Sequence, residues 1–277
     1  MVKQNKPSSV YQPINYVLEA GGKRVRAVLV VLACQAVGGQ SGNALHAAVA
    51  METLHNFTLV HDDVMDNSSL RRGRATVHTK WDTNVAILSG DEMIAYAYQS
   101  LLKTKSNNVQ QVLSVFTDAF IQVCEGQGFD KEFETRNDVT LDEYLMMIKK
   151  KTARIISASC ELGGLIGGGT TREVNALRTF GESLGMAFQI QDDLLDITGT
   201  EQQLGKPIGG DVLEGKKTYL LLKSLERAKG NDKKVLLKVV EKKNLKQSII
   251  PAVLDIYERT NTLQHTREQV ESYTKTA

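Results

Sequence analysis

Four prolines in 277 residues most narrow what this chain can fold into. Proline fixes φ and removes a backbone donor, so it interrupts helices and central strands alike. A chain with so few, whose apolar residues recur with a 3.6-residue period, reads as all-α. Pro7, Pro13 and Pro207 lie in or near expected loops, and Pro251 marks the one break in the C-terminal quarter. No strand-rich region, linker or low-complexity tract interrupts the pattern. The reading is a single domain, residues 1–277, of about ten helices, long enough to bury a large core.

The net charge of +2 gives no whole-molecule field that would draw nucleic acid, so none is expected as a partner. Three scattered cysteines, Cys34, Cys124 and Cys160, have no metal-ligand spacing and are odd in number. They read as reduced thiols of a cytoplasmic protein. The polar N-terminus lacks a signal-peptide core. The longest apolar run, Ala27 to Ala33, is too short to span a bilayer.

In chain order, a short helix from about Ser8 to Ala20 ends at Gly21-Gly22, and Lys23-Arg24-Val25-Arg26 opens the next, to about Val37. A long helix follows from Asn43 to Asp66, then a loop from Ser68 to Thr83. Helices are expected at Val85–Lys103, Val109–Phe129 and Leu141–Leu165, the last broken by glycines 163, 164 and 167–169. That glycine run has neither a preceding strand nor a following Gly-Lys-Ser/Thr, so it is a turn and not a phosphate loop. Another helix runs from Thr171 to Asp196. A glycine-rich loop with three lysines, Gly205 to Thr218, leads to a helical remainder with solvated basic faces.

Two stretches stand out. His61-Asp62-Asp63-Val64-Met65-Asp66 sets carboxylates at i, i+1 and i+4, and Arg71-Arg72-Gly73 follows five residues on. Gln191-Asp192-Asp193-Leu194-Leu195-Asp196 repeats the spacing 130 residues later. On a helix, the first and last aspartate of each triplet share a face, with the middle one about 100° round the axis. Each triplet closes a helix at its C-terminus, where exposed carbonyls already disfavour negative charge. One acidic helix end is ordinarily just solvated. Two, each followed by basic residues, point to hard divalent cations bridged to phosphate, because Mg²⁺ takes oxygen ligands and keeps positions for phosphate oxygens. Asp62, Asp66, Asp192 and Asp196 would then face a shared cleft between helices. A His-Asp phosphohydrolase is the rival, but it needs further histidine ligands, and His55 lies six residues from His61, off its helical face.

With these residues in place the chain resembles the trans-isoprenyl diphosphate synthases, the polyprenyl synthases that include farnesyl and geranylgeranyl diphosphate synthases. The likeness runs from Gly21-Gly22-Lys23-Arg24 through both triplets, Gly126-Gln127, Lys151-Thr152-Ala153 and the Gly205-Lys206 to Thr218 loop. It implies the isoprenoid synthase fold, a helical bundle around a central cavity, and a homodimer. It implies an Mg²⁺-dependent condensation of isopentenyl diphosphate with an allylic diphosphate (dimethylallyl, geranyl or farnesyl). By position, Asp62, Asp66 and Asp192 correspond to direct ligands of three Mg²⁺ ions, with Asp63, Asp193 and Asp196 supporting them. Arg71, Lys151, Lys206 and Lys216 would contact the allylic diphosphate. Lys23, Arg26, His55 and Arg72 would bind isopentenyl diphosphate, and Thr152 and Gln189 would stabilise the allylic cation.

In the family a bulky residue five positions before the first triplet limits product length. Here that residue is Phe57, roughly 7.5 Å down the helix from Asp62, and it is followed by Thr58. The pattern implies geranylgeranyl diphosphate, with farnesyl diphosphate as the competing product. A terpene cyclase or a non-catalytic partner subunit would share parts of the pattern. The second aspartate triplet weighs against the cyclase, and the intact set of cationic residues against the partner subunit. The chain departs from the family at Asn67, where many members carry another acid, and at Ala27, where proline is usual. It also has only 20 residues before the Gly-Gly-Lys-Arg motif.

Overall fold

The structure, a computed structural model, describes residues 6–199, 208–242 and 245–277. The all-α expectation holds: the only strands among the described residues form one two-residue hairpin. The helices are α1 (Ser8–Glu19), α2 (Val25–Ala36), α3 (Ser41–Met65), α4 (Val77–Lys80), α5 (Thr83–Leu101), α6 (Val109–Phe133), α7 (Leu141–Ile148), α8 (Arg154–Ile166) and α9 (Thr171–Thr198). The glycine-rich stretch expected as a loop contains a short helix, α10 (Gly210–Leu213), and after it come α11 (Tyr219–Arg227), α12 (Gly230–Val240) and α13 (Ile250–Arg259), with α14 (Thr262–Thr276) closing the chain. No helix among the described residues is long and apolar enough to cross a membrane.

The helices gather into two compact units, Met1–Phe120 with Ala158–Arg178, and Ile121–Ser157 with Thr179–Ala277. In the first, α3 packs on α2 and α5. Its inner face carries Ala44, Ala47, Ala50, Met51 and Leu54, all fully buried. Small side chains let neighbouring helices come close to its backbone, which is why the apolar pattern of α3 looks weak although it is deeply enclosed. Glycine serves the same purpose in α8. A Cβ on Gly163 would stand 2.3 Å from the Val30 carbonyl oxygen. The helix therefore runs through Gly163-Gly164, contrary to the expected break, and ends only at Ile166, before Gly167.

The second unit has two apolar clusters. One joins the end of α9 (Leu194, Ile197) to α11, α12 and α13 through Leu220, Leu221, Leu236, Val253 and Tyr257. The other gathers Phe133, Tyr144, Met147 and Ile148 around Met186, Ile190 and Tyr219. Helix α7 begins with a capping box, Thr140 and Glu143 satisfying each other's backbone N–H groups.

Two departures from the sequence reading matter for function. The expected loop from Ser68 to Thr83 contains a hairpin, Leu70–Arg71 paired antiparallel with Arg74–Ala75, followed by α4. The helix expected from Leu141 to Leu165 is interrupted by a π-helical turn, Lys149–Ala153.

Candidate active site

The first unit ends α3 in a way that sorts the first aspartate triplet. Ser68 N–H donates to the Asp63 carbonyl at 2.9 Å and Asn67 N–H to the Val64 carbonyl at 3.3 Å, with Asn67 at φ 49°. This is the Schellman closure, whose left-handed residue is best supplied by glycine or asparagine. Asn67, a departure from the family pattern, therefore does the work of ending the helix. Asp62 is half-buried and Asp66 exposed on the same face. Asp63 is buried and accepts from Arg71 Nε at 2.7 Å. Burial pushes its carboxyl upward, and the Arg71 guanidinium opposes the shift.

The hairpin explains the adjacent arginines. Arg72 and Gly73 form its two-residue loop with φ of 52° and 73°, a type I′ turn, whose twist matches the strands it joins. Arg71 and Arg72 consequently part company. Arg71 turns to Asp63, whereas Arg72 donates to the Gly21 carbonyl. A Cβ on Gly22 would lie 2.9 Å from the Arg72 guanidinium.

Around Arg72 the first unit collects positive charge. Arg24 pairs with Glu52 at 2.9 Å. Arg26 has its Nε buried with no hydrogen-bond partner among the described residues. Its pKa falls to about 10, mainly through burial. Burial, then the charges of Arg26, Arg72, Arg71 and Arg24, push His55 down to about 2. Lys23 is exposed in the connection between α1 and α2. A histidine held neutral by burial and by the arginines round it, beside an orphaned guanidinium N–H, is a setting built for an anion.

The depressed His55 pKa makes a pH prediction. The unfolded value of 6.5 lies above the folded one, so below pH 6.5 the unfolded chain binds the extra proton. Stability from this group is complete above pH 6.5 and is lost as pH falls. At pH 5 the loss reaches about 2 kcal/mol. Replacing His55 with Gln should flatten the decline in urea midpoint between pH 7 and 5. An unchanged slope would mean that His55 takes up its proton in the folded state.

Phe57 is buried, its ring edge-to-face with Phe120 at 5.5 Å and tilted against His61 at 4.6 Å. Thr58 is half-buried and donates its hydroxyl to the His55 carbonyl at 2.8 Å.

The second unit repeats the sorting. Asp192 is exposed on α9, while Asp193 is buried. Asp193 accepts from the Tyr144 hydroxyl at 2.5 Å, from Tyr219 N–H at 3.2 Å and from Gln189 Nε2 at 3.1 Å. Burial raises its pKa to about 7, with repulsion from Asp211 adding to the rise and these three donors limiting it. Asp196 is buried and accepts from Asp211 N–H at 3.0 Å.

The π turn places Lys151 and Thr152. π turns inserted into α-helices recur at functional sites, and this one fits because two glycines leave room. A Cβ on Gly126 would stand 2.3 Å from the Lys151 nitrogen, and one on Gly185 would stand 2.5 Å from Ala153 Cα. Lys151 bonds to Asp130 at 2.6 Å. Thr152 donates to Gln189 Oε1 at 2.9 Å. Lys216 is exposed and pairs with Glu214 at 2.9 Å and Asp211 at 3.4 Å. Lys206 lies outside the described residues.

The sequence reading missed Glu52, Asp130 and Tyr144. Asp130 and Tyr144 partner the predicted Lys151 and Asp193, and Glu52 partners Arg24 of the Gly-Gly-Lys-Arg motif, each from 21 or more positions away, beyond any local pattern. The donor chemistry of the triplets fits Mg²⁺. They supply oxygen ligands only, and no group of three or more His, Cys, Asp or Glu able to hold an ion is assembled among the described residues. Mg²⁺ needs no such cage, since one or two carboxylates plus water and phosphate oxygens complete its octahedron.

Residues 7–257 match the model of the polyprenyl synthetase family. The chain belongs to that family. It is accordingly a prenyltransferase, and several of its relatives are short-chain synthases. A geranylgeranyl diphosphate synthase of Saccharolobus solfataricus is 42% identical over 266 residues, covering 95% of this chain and 80% of the relative. One of Sulfolobus acidocaldarius is 40% identical over 272 residues, 97% of this chain and 82% of the relative. Among solved structures, the geranylgeranyl pyrophosphate synthetase of Pyrococcus horikoshii superposes with a TM-score of 0.92 at 36% identity, over 98% of this chain and 83% of that one. These likenesses bear out the synthase reading and the isoprenoid synthase fold.

Proposed function

We propose that this prenyltransferase condenses isopentenyl diphosphate with an allylic diphosphate and releases mainly geranylgeranyl diphosphate. The observation that carries the reading is the repeated division of labour in the triplets. In each, the middle aspartate is buried and bonded to protein, and the first is at least partly accessible. Asp62, Asp66 and Asp192 would hold Mg²⁺, three ions with diphosphate bound, and Asp196 would support them. Bound Mg²⁺ supplies charge neutralisation for the leaving diphosphate. Arg71, Lys151, Lys206 and Lys216 would add hydrogen bonds to the same group. Lys23, Arg26, His55 and Arg72 would orient isopentenyl diphosphate.

As the allylic C–O bond ionises, the oxygens of Thr152 and Gln189 would face the carbocation. The isopentenyl double bond then attacks, and the released diphosphate takes the proton lost in forming the new double bond. Phe57 and its apolar surroundings would keep out water that could trap the cation. The reading includes a homodimer, a single catalytic domain and a cytoplasmic setting.

Incubation with Mg²⁺, labelled isopentenyl diphosphate and geranyl or farnesyl diphosphate should yield a twenty-carbon product. Absence of elongation from any allylic primer would sink the synthase reading. Chain length has its own test. Phe57→Ala opens space beside Phe120, and the product distribution should shift to longer chains, at a cost of about 3 kcal/mol in stability. An unaltered distribution would mean that another residue closes the cavity.

A further inference from the structure

One partly buried hydrogen-bond chain in the second unit joins residues with a proposed chemical role to one without. Thr152 donates to Gln189 Oε1 at 2.9 Å, and Gln189 donates through Nε2 to Asp193 Oδ1 at 3.1 Å. Tyr144, itself buried on α7, donates to Asp193 Oδ2 at 2.5 Å, the shortest bond in the chain. Gln189 and Asp193 are four residues apart on α9 and so share a face.

The direction of each bond follows from its chemistry. The three donors on Asp193 match its ionised form, which only accepts, so it draws the NH₂ of Gln189 toward itself and turns the amide oxygen away, to Thr152. Thr152 gives its single proton to that oxygen, so its own lone pairs stay available. With the amide turned over, an NH₂ group carrying partial positive charge would occupy the same place. The two orientations thus present opposite electrostatics to a neighbouring charge, and the carboxylate of Asp193 selects between them. Tyr144 in turn fixes that carboxylate: its hydroxyl, at 2.5 Å, is the shorter of two bonds to Oδ2, the other coming from Tyr219 N–H at 3.2 Å, and Oδ1 is left aimed at Gln189.

We propose that Tyr144 is a positioning residue for allylic ionisation: acting through Asp193, it holds the Gln189 amide with its oxygen, not its NH₂, toward the developing cation. The proposal rests on the reading that Thr152 and Gln189 border the reacting carbon. In Tyr144→Phe, kcat should fall roughly tenfold to a hundredfold, as for other small misplacements of reacting groups. KM for isopentenyl diphosphate should stay within about twofold, because its proposed site shares no member of the chain. In a Gln189→Ala background, adding Tyr144→Phe should change kcat by less than about twofold, since residues acting through one another are non-additive.

A wild-type kcat in Tyr144→Phe, a change confined to KM, or a full further loss in the Gln189→Ala background would each overturn the proposal. Should Tyr144→Phe fail to fold, Asp193→Asn carries the same comparison. Its carboxamide can accept from Tyr144 only by turning its own NH₂ to Gln189, which forces that amide over. The resulting loss should vanish in the Gln189→Ala background, and its persistence there would refute the linkage. If Gln189→Ala alone keeps full kcat while the wild type elongates, the reading of Gln189 fails and this proposal with it. If the wild type does not elongate, the fault lies in the proposed function.

Discussion

Asp192→Asn is expected to lower kcat by about a thousandfold, about 4 kcal/mol of transition-state stabilisation, while leaving the thermal midpoint within a degree or two. Both halves follow from where the residue sits. Asp192 is exposed on α9, and substitutions at such surface positions change stability by roughly half a kcal/mol or less. An amide oxygen is a far weaker Mg²⁺ ligand than a carboxylate, so the activity that remains should need higher Mg²⁺. Asp193 cannot take over, because its two oxygens already receive three donors. Asp62→Asn should behave alike. A titration of activity against Mg²⁺ at saturating substrate is the decisive measurement. A wild-type kcat and Mg²⁺ midpoint in Asp192→Asn would remove this residue from the metal site.

Much of this was legible in the sequence because it depends on periodicity and spacing. Proline scarcity and the 3.6-residue pattern forecast the helices, and the i, i+1, i+4 spacing placed Asp62 and Asp66 together on α3. What spacing could not convey is which partner captures each side chain. Asp62 and Asp63 are adjacent and chemically identical, yet it is Asp63 that takes the Arg71 Nε at 2.7 Å, because an eight-residue excursion through the Schellman closure and the hairpin returns the guanidinium there. The hairpin itself is too short for an alternating pattern, and its one signal was Gly73 after a run of arginines. Tyr144 lies in the core. Only its hydroxyl, meeting a carboxylate 49 residues away, makes it more than that. The π turn leaves no periodic trace, because its altered hydrogen-bond register is set by neighbours and not by its own residues.

Those neighbours give the second large effect. Gly126→Ala should reduce kcat by at least about a hundredfold, as roughly ångström-scale displacement of reacting groups does, and should destabilise the fold by about 1–3 kcal/mol. The new Cβ would stand 2.3 Å from the Lys151 nitrogen, 2.7 Å from its Cα and 2.8 Å from its Cβ. Two of these are backbone atoms, so no rotamer change relieves the clash, and α6 must part from the π turn. That motion displaces Lys151 from Asp130 and Thr152 from Gln189 together. Gly128→Ala is the matched control. It lies two residues on in the same helix, exposed, with nothing within 4 Å of its added Cβ. Helix propensity alone should make Gly128→Ala more stable by about 1 kcal/mol, with unaltered kcat. The same gain acts in Gly126→Ala, so any net loss there measures steric displacement against a known offset. Full activity in Gly126→Ala would mean that α6 yields without moving the turn. The close approach would then be a packing feature and not the device that sets Lys151 and Thr152 in place.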